Sequence, residues 1–151
     1  MDSQRWHQRF LVQADWTKEL RRFLYQQLGI NQKSRILETG CGTGVITSEL
    51  SELSAQKPVG IDIDFERLEL AANHYINPLF GCADVYHLPF AQAKFDGIVT
   101  HFLFLWLRDP LTALAEMLRV LKPGGFLVAL AEPDYLARVD NPQELWKLGE
   151  L

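Results

Sequence analysis

The stretch Ile36-Leu37-Glu38-Thr39-Gly40-Cys41-Gly42-Thr43-Gly44 leaves few folds open to this chain. An apolar run ends in a carboxylate. Three glycines then alternate with small side chains, and a helical spacing begins at once through Ile46, Leu50 and Leu53. Strand, glycine-rich turn and helix, in that order, form a unit in which a ligand meets the carboxyl end of a parallel strand. Glycine permits positive φ and lets another group come close to the backbone. The first N–H groups of the helix have no intrahelical partner and suit something anionic.

The rest of the chain repeats that alternation. Residues 58–63, 79–84, 94–101 and 126–131 read as short apolar strands after a first one at 34–38. Helical patterns lie between them. Asp64 caps one whose apolar stripe is Leu68, Ala71 or Ala72, and Tyr75; Asp109 and Pro110 open another with Leu111, Leu114, Leu118 and Leu121 facing inward. Ahead of the first strand, residues 4–28 are helical, with Trp16, Leu20, Phe23 or Leu24, and Leu28 as the apolar face and Gly29 as the stop; residues 4–14 could form a separate short helix. Residues 142–151 suggest one more helix. Strands alternating with helices imply an α/β, doubly wound parallel sheet with right-handed crossovers; the expected spatial order of its five strands is 3-2-1-4-5.

Composition narrows the possible partners. At 151 residues and 48% hydrophobic, the chain can build one real core. The net charge of −4 supplies no global basic field for nucleic acid. Residues 1–35 are locally basic, with seven Lys/Arg against three acids, which a solvated helix face explains. Cys41 and Cys82 show neither metal-ligand spacing nor a disulfide framework, and that points to a reducing, cytoplasmic setting. No apolar run approaches the roughly 20 residues of a membrane span.

The glycine register narrows the ligand. A triphosphate-binding loop needs Lys after its last glycine, and here Val45-Ile46-Thr47 follows. A dinucleotide fingerprint needs a third glycine where Val45 or Thr47 stands, which disfavours an NAD-type oxidoreductase. Asp62 lies 22 positions beyond Gly40, a spacing that puts a carboxylate at the end of the adjacent strand, where it can accept from a ribose diol. A tight turn holding no ligand stays open on the glycines alone.

Glu-x-Gly-x-Gly-x-Gly at 38–44, Asp62, Gly-Cys-Ala-Asp at 81–84 with Leu-Pro-Phe at 88–90, and Arg-Val-Leu-Lys-Pro-Gly-Gly at 119–125 stand in one order. Over residues 36 to about 131 the chain resembles the class I S-adenosylmethionine (SAM)-dependent methyltransferases. The resemblance implies a three-layer Rossmann-like fold. It implies cofactor contacts from Glu38, Gly40, Cys41, Gly42, Thr43 and Gly44 around the methionine end, and from Asp62 and Ile63 at the ribose. Asp84 and the Val85 N–H are expected on the adenine edge, where an ionised carboxylate, which only accepts, selects an amine. Thr100 and His101 occupy the place where the family's strand faces cofactor and substrate. Trp16 is a candidate lid, beside the plainer reading of a packed side chain. His101 is the one candidate catalytic residue, as a general base or as a positioned, non-reacting histidine.

The expected activity is methyl transfer to an unidentified small-molecule acceptor by in-line displacement, with S-adenosylhomocysteine as product. The alternative is a non-catalytic module of the same fold that holds SAM or a partner. The expected organisation is an N-terminal helical segment at 1–35 and a SAM-binding domain at 36–151. The family usually adds two strands after the fifth. Without them the fifth strand is an apolar open edge, to be covered by a C-terminal helix or by self-association; a fragment of a longer chain is the favoured explanation.

Overall fold

Five short segments become the strands of one parallel sheet because each is apolar enough to be covered by helices on its faces. A computed structural model describes residues 3–132; the expected helix at 142–151 lies outside them. Two helices open the chain, α1 (Ser3–Trp16) and α2 (Lys18–Gln27). Then come β1 (Ile36–Thr39), α3 (Val45–Leu53), β2 (Val59–Asp62), α4 (Phe65–His74) and β3 (Leu79–Cys82). The described part ends with β4 (Phe95–His101), a 3₁₀ turn (Phe104–Trp106), α5 (Pro110–Val120) and β5 (Leu121–Leu130). The strands lie in the expected order β3-β2-β1-β4-β5, and all are parallel, as the alternation predicts.

β1 is buried along its whole length, and its register sets the sheet: Leu37 is opposite Val59 of β2 and Ile98 of β4. One core lies under Leu37, Ile61, Ile98, Ala113, Met117 and Val120. The other lies under Ile36, Ile46, Leu50 and Val99, and takes in Ala14 of α1 and Tyr25 of α2. The N-terminal helices therefore share a core with the sheet. β5 begins earlier than the expected 126–131. Leu121 pairs with Phe95, a bulge passes through Lys122-Pro123-Gly124-Gly125, and Phe126 resumes opposite Gly97. Asp96, at the amino end of β4, accepts from the Arg35 N–H and from Lys122 Nζ, which makes it a structural acid.

Two helices turn a different face inward from the one their leucines suggest. In α5 the buried residues are Ala113, Met117 and Val120, while Leu111 and Leu118 are exposed. Polar contacts set that rotation: Glu116 accepts from the Leu88 N–H, and Arg119 donates to the carbonyls of Leu88 and Phe90. In α2 the buried residues are Arg21 and Tyr25, while Leu20 and Phe23 are exposed. Arg21 is drawn in because every face of its guanidinium finds an acceptor: both oxygens of Glu49, the Ala14 carbonyl and the Thr17 hydroxyl. An arginine with four of its five N–H donors paired can be buried where an unpaired one cannot. α4 follows its stripe, burying Leu68 and Ala71, and Asp64 caps it through the Arg67 N–H.

Candidate functional site

The carboxyl ends of β1, β2 and β4 open onto a cleft of about 920 Å³. Its floor begins with the turn after β1. Gly40, Gly42 and Gly44 all have positive φ, which a side chain would strain. The N–H groups of Gly40 and Cys41 both donate to the Ile61 carbonyl, at 2.8 and 2.9 Å, and this ties the turn to β2. Asp62 then fixes it from the side. One carboxylate oxygen accepts from the Gly42 N–H at 2.7 Å, the other from the Asp64 N–H at 2.9 Å. Each oxygen keeps a second lone pair for a ligand hydroxyl.

Further along this wall, Asp84 accepts from the Tyr86 N–H at 2.9 Å through one oxygen. Its other oxygen and the Val85 N–H have no partner among the described residues. An acceptor and a donor side by side suit the edge of a purine. Ile63, 72% exposed, supplies an apolar surface beside Asp62. Beneath the turn, Glu38 is buried and bonded to the Thr47 hydroxyl. Burial pushes its carboxyl up to about 8, and the Asp62 charge adds to the rise. Burial also raises the Cys41 thiol, so it is no ready nucleophile.

The facing wall is apolar and comes from two other places. Phe102, Leu103, Leu105, Trp106 and Leu107 follow β4 through the 3₁₀ turn. Glu132, just past β5, holds that segment by accepting from the N–H groups of Leu103 and Phe104 at 2.9 and 3.0 Å and from the Thr100 hydroxyl. From above, α1 presents Trp6, Arg9, Phe10 and Gln13, a spacing of one helical face. The glycines receive these walls. A Cβ on Gly42 would lie 2.7 Å from the Phe10 ring, and one on Gly40 2.7 Å from the Leu103 side chain. Arg67 of α4 stacks on Trp6, with its guanidinium 4.9 Å from the ring centroid, and pairs with Asp64.

Of the residues expected at a site, Glu38, Gly40, Cys41, Gly42, Asp62, Ile63, Asp84, Val85 and His101 line this one cleft. Four do not. Thr43 is buried behind the turn, its hydroxyl bonded to His7 Nδ1. Gly44 caps α3, and a Cβ there would strike Phe80 and Ala71 on the far side. Thr100 lies under the floor on Glu132. Trp16 is 70% exposed at the end of α1 and does not line the cleft, whereas Trp6 and Phe10 of the same helix do. The spacing of Trp6, Phe10 and Gln13 marks one helical face but not what that face meets, and nothing local marks Glu132 as the anchor of a loop thirty residues upstream.

The chain matches the family described as "Methyltransferase domain" over residues 37–129. It is 34% identical to the O-methyltransferase rstn1 of Aspergillus nomiae, over 89% of this chain and 62% of that one. It is 38% identical to a demethylmenaquinone methyltransferase of Corynebacterium urealyticum, over 78% and 47%. A SAM-dependent methyltransferase from Aquifex aeolicus superposes with a TM-score of 0.68 at 23% identity, covering 85% of this chain and 74% of that one, which speaks for the fold. The chain belongs to the class I SAM-dependent methyltransferase family. It spans about half the length of the curated relatives it matches.

Proposed function

We propose that this chain is the cofactor-binding and methyl-transferring part of a SAM-dependent methyltransferase whose acceptor is a small molecule. The observation that carries this reading is the convergence of the Gly40–Gly42 turn, Asp62, and the Asp84–Val85 pair on one cleft. The donor set fits the cofactor in kind. Asp62 keeps lone pairs for a diol, Asp84 and Val85 offer an acceptor and a donor to a base edge, and Ile63 offers an apolar face to its ring.

When bound, the cofactor supplies a methyl group on a cationic sulfur. The residues' work is then mainly to align: positioning can contribute about 7–11 kcal/mol of the barrier. Trp6 and Phe10 cover the turn from α1 and exclude water there. The apolar wall at 102–107 holds the body of the acceptor, and Arg108 at its rim suits an acidic group. One relative's name supports an oxygen acceptor: the Aspergillus nomiae protein is named an O-methyltransferase.

We place the protein in the cytoplasm: both cysteines are free, and no helix among the described residues is long and apolar enough to cross a membrane. β5 is one of the two edge strands of the described sheet and offers a surface for self-association, which light scattering over a concentration series tests.

Calorimetry with SAM, S-adenosylhomocysteine and NAD tests the cofactor. The expected outcome is binding of the first two and no heat with the third. Labelled-methyl transfer to a panel of phenols, enols and carboxylic acids then tests the reaction. Tight SAM binding with no label transferred to any acceptor, by this chain or by a longer natural product containing it, would turn the reading into a binding module.

A further inference from the structure

His101 ends β4 inside the cleft, paired with Leu130 of β5, and its ring is held from another element. Its Nε2 lies 2.9 Å from the Thr17 hydroxyl, at the break between α1 and α2. Thr17 is in turn gripped by Arg21, whose Nη1 is 2.5 Å from the same hydroxyl oxygen and 2.6 Å from the Ala14 carbonyl. Arg21 is 1% exposed and spends its other nitrogens on Glu49. A guanidinium only donates, so the Thr17 oxygen accepts from it and the hydroxyl proton must go elsewhere. Two acceptors are in reach. The Ala14 carbonyl is 3.5 Å away and already accepts from Arg21 and from the Thr17 N–H. His101 Nε2, at 2.9 Å, is the better acceptor.

We propose that Arg21, acting through the Thr17 hydroxyl, holds His101 as the neutral tautomer with its proton on Nδ1, so that the histidine presents a fixed hydrogen-bond donor to the cleft. Nδ1 has no partner among the described residues. It is also not one of their buried orphan atoms, where the Tyr25 hydroxyl stands alone, so it is accessible on a side chain that lines the cleft. The surrounding charges support this state. Burial first, and then the charge of Arg21 on α2, hold the imidazole down at about 4. Glu49 of α3 is committed to Arg21, and Glu132 beyond β5 to Thr100, Leu103 and Phe104.

The consequence deepens the proposed function and rests on it. A donor with its other nitrogen engaged does not remove a proton. The acceptor this site favours therefore brings an oxygen already anionic near neutral pH, such as an acidic phenol, an enol or a carboxylic acid, and sets it against Nδ1–H. Thr17 and Arg21 are positioning residues in this scheme.

The tautomer is read directly, without cofactor or substrate, from long-range ¹H–¹⁵N correlations of the imidazole rings, with His101→Gln identifying the signal. The expected spectrum shows Nδ1–H in the parent and in Thr17→Ser from pH 5 to 8. Thr17→Val is expected to lose the preference and to titrate nearer the ordinary histidine range. Nε2–H in the parent, or an unchanged pattern in Thr17→Val, overturns the proposal; the parent spectrum decides even if the valine variant does not fold. In turnover, His101→Gln keeps a donor and is expected to lose less than about 10-fold in kcat/KM, where loss of a general base costs about 100-fold or more. A 100-fold loss in the glutamine variant also overturns it. Absence of SAM binding alongside the expected tautomer would instead sink the methyltransferase reading and leave the Arg21–Thr17–His101 chain standing.

Discussion

The two walls of the cleft are made in different ways. The polar wall is assembled from strand ends: the turn after β1 hangs on the Ile61 carbonyl and on Asp62, and Asp84 closes its own turn two residues on. Its geometry follows from neighbouring strands in register, and each group is a backbone amide or a short carboxylate with little freedom to lose. The apolar wall is borrowed. Its side chains come from α1 and from the segment after β4, and it is held by one carboxylate, Glu132, and by the packing of Phe10 and Leu103 onto glycine backbone. A site divided in this way can keep one cofactor while its acceptor changes, because only the borrowed wall needs to vary.

Asp62→Ala strikes the polar wall hardest. It removes the acceptor of two backbone N–H groups and the proposed diol contact together. With hydrogen bonds to charged groups each contributing about 1.5–3 kcal/mol, SAM affinity should fall about 100-fold or more by calorimetry. An unchanged affinity in a folded protein would break the comparison at its root.

Glu132→Ala strikes the apolar wall instead. It leaves the Leu103 and Phe104 N–H groups without their acceptor and should cost about 2–4 kcal/mol in denaturant titrations. Acceptor turnover should collapse while SAM affinity falls far less. Equal damage to both ligands would mean that the walls are not independent.

Glu38 supplies a pH test beneath the polar wall. Its carboxyl is raised from 4.5 to about 8, so between those values the folded protein holds a proton that the unfolded chain releases. Stability from this group is fully present below about 4.5 and is lost as pH rises through 8. Glu38→Gln should flatten that decline in melting temperature measured from pH 5 to 8.

Two tryptophans give the smallest effects and the sharpest contrast. Trp106→Ala should raise the acceptor KM up to about 10-fold and leave SAM affinity within about 2-fold, since its ring contributes only to the apolar wall. Trp16→Ala should change neither ligand's affinity measurably, because that exposed side chain touches neither wall.

The polar wall was legible in the sequence because its residues act through the backbone that carries them. A glycine that must take positive φ, an acid at a strand end and a cap such as Asp64 are local demands, and alternating strand and helix imply a parallel sheet whose observed order, 3-2-1-4-5, brings them to one edge. The helix faces were less legible. Leucine spacing put Leu111, Leu118 and Leu20 inside, yet Glu116 and Arg119 clamp α5 to the loop at 88–90, and Arg21 rolls α2 around Glu49. Apolar periodicity offers two faces when a helix is rich in leucine, and a long-range polar contact chooses between them.

What the sequence determined by itself is the parallel sheet, the glycine turn and the acids beside it, since short-range geometry and strand register leave those residues one arrangement. Only the tertiary structure decided that Trp6 and Phe10, not Trp16, cover the turn, that Glu132 holds the opposite wall, and that His101 answers to Thr17 and Arg21. Those contacts join groups about thirty to eighty positions apart, and no local pattern along a chain records which distant partner will meet a given hydrogen-bonding group.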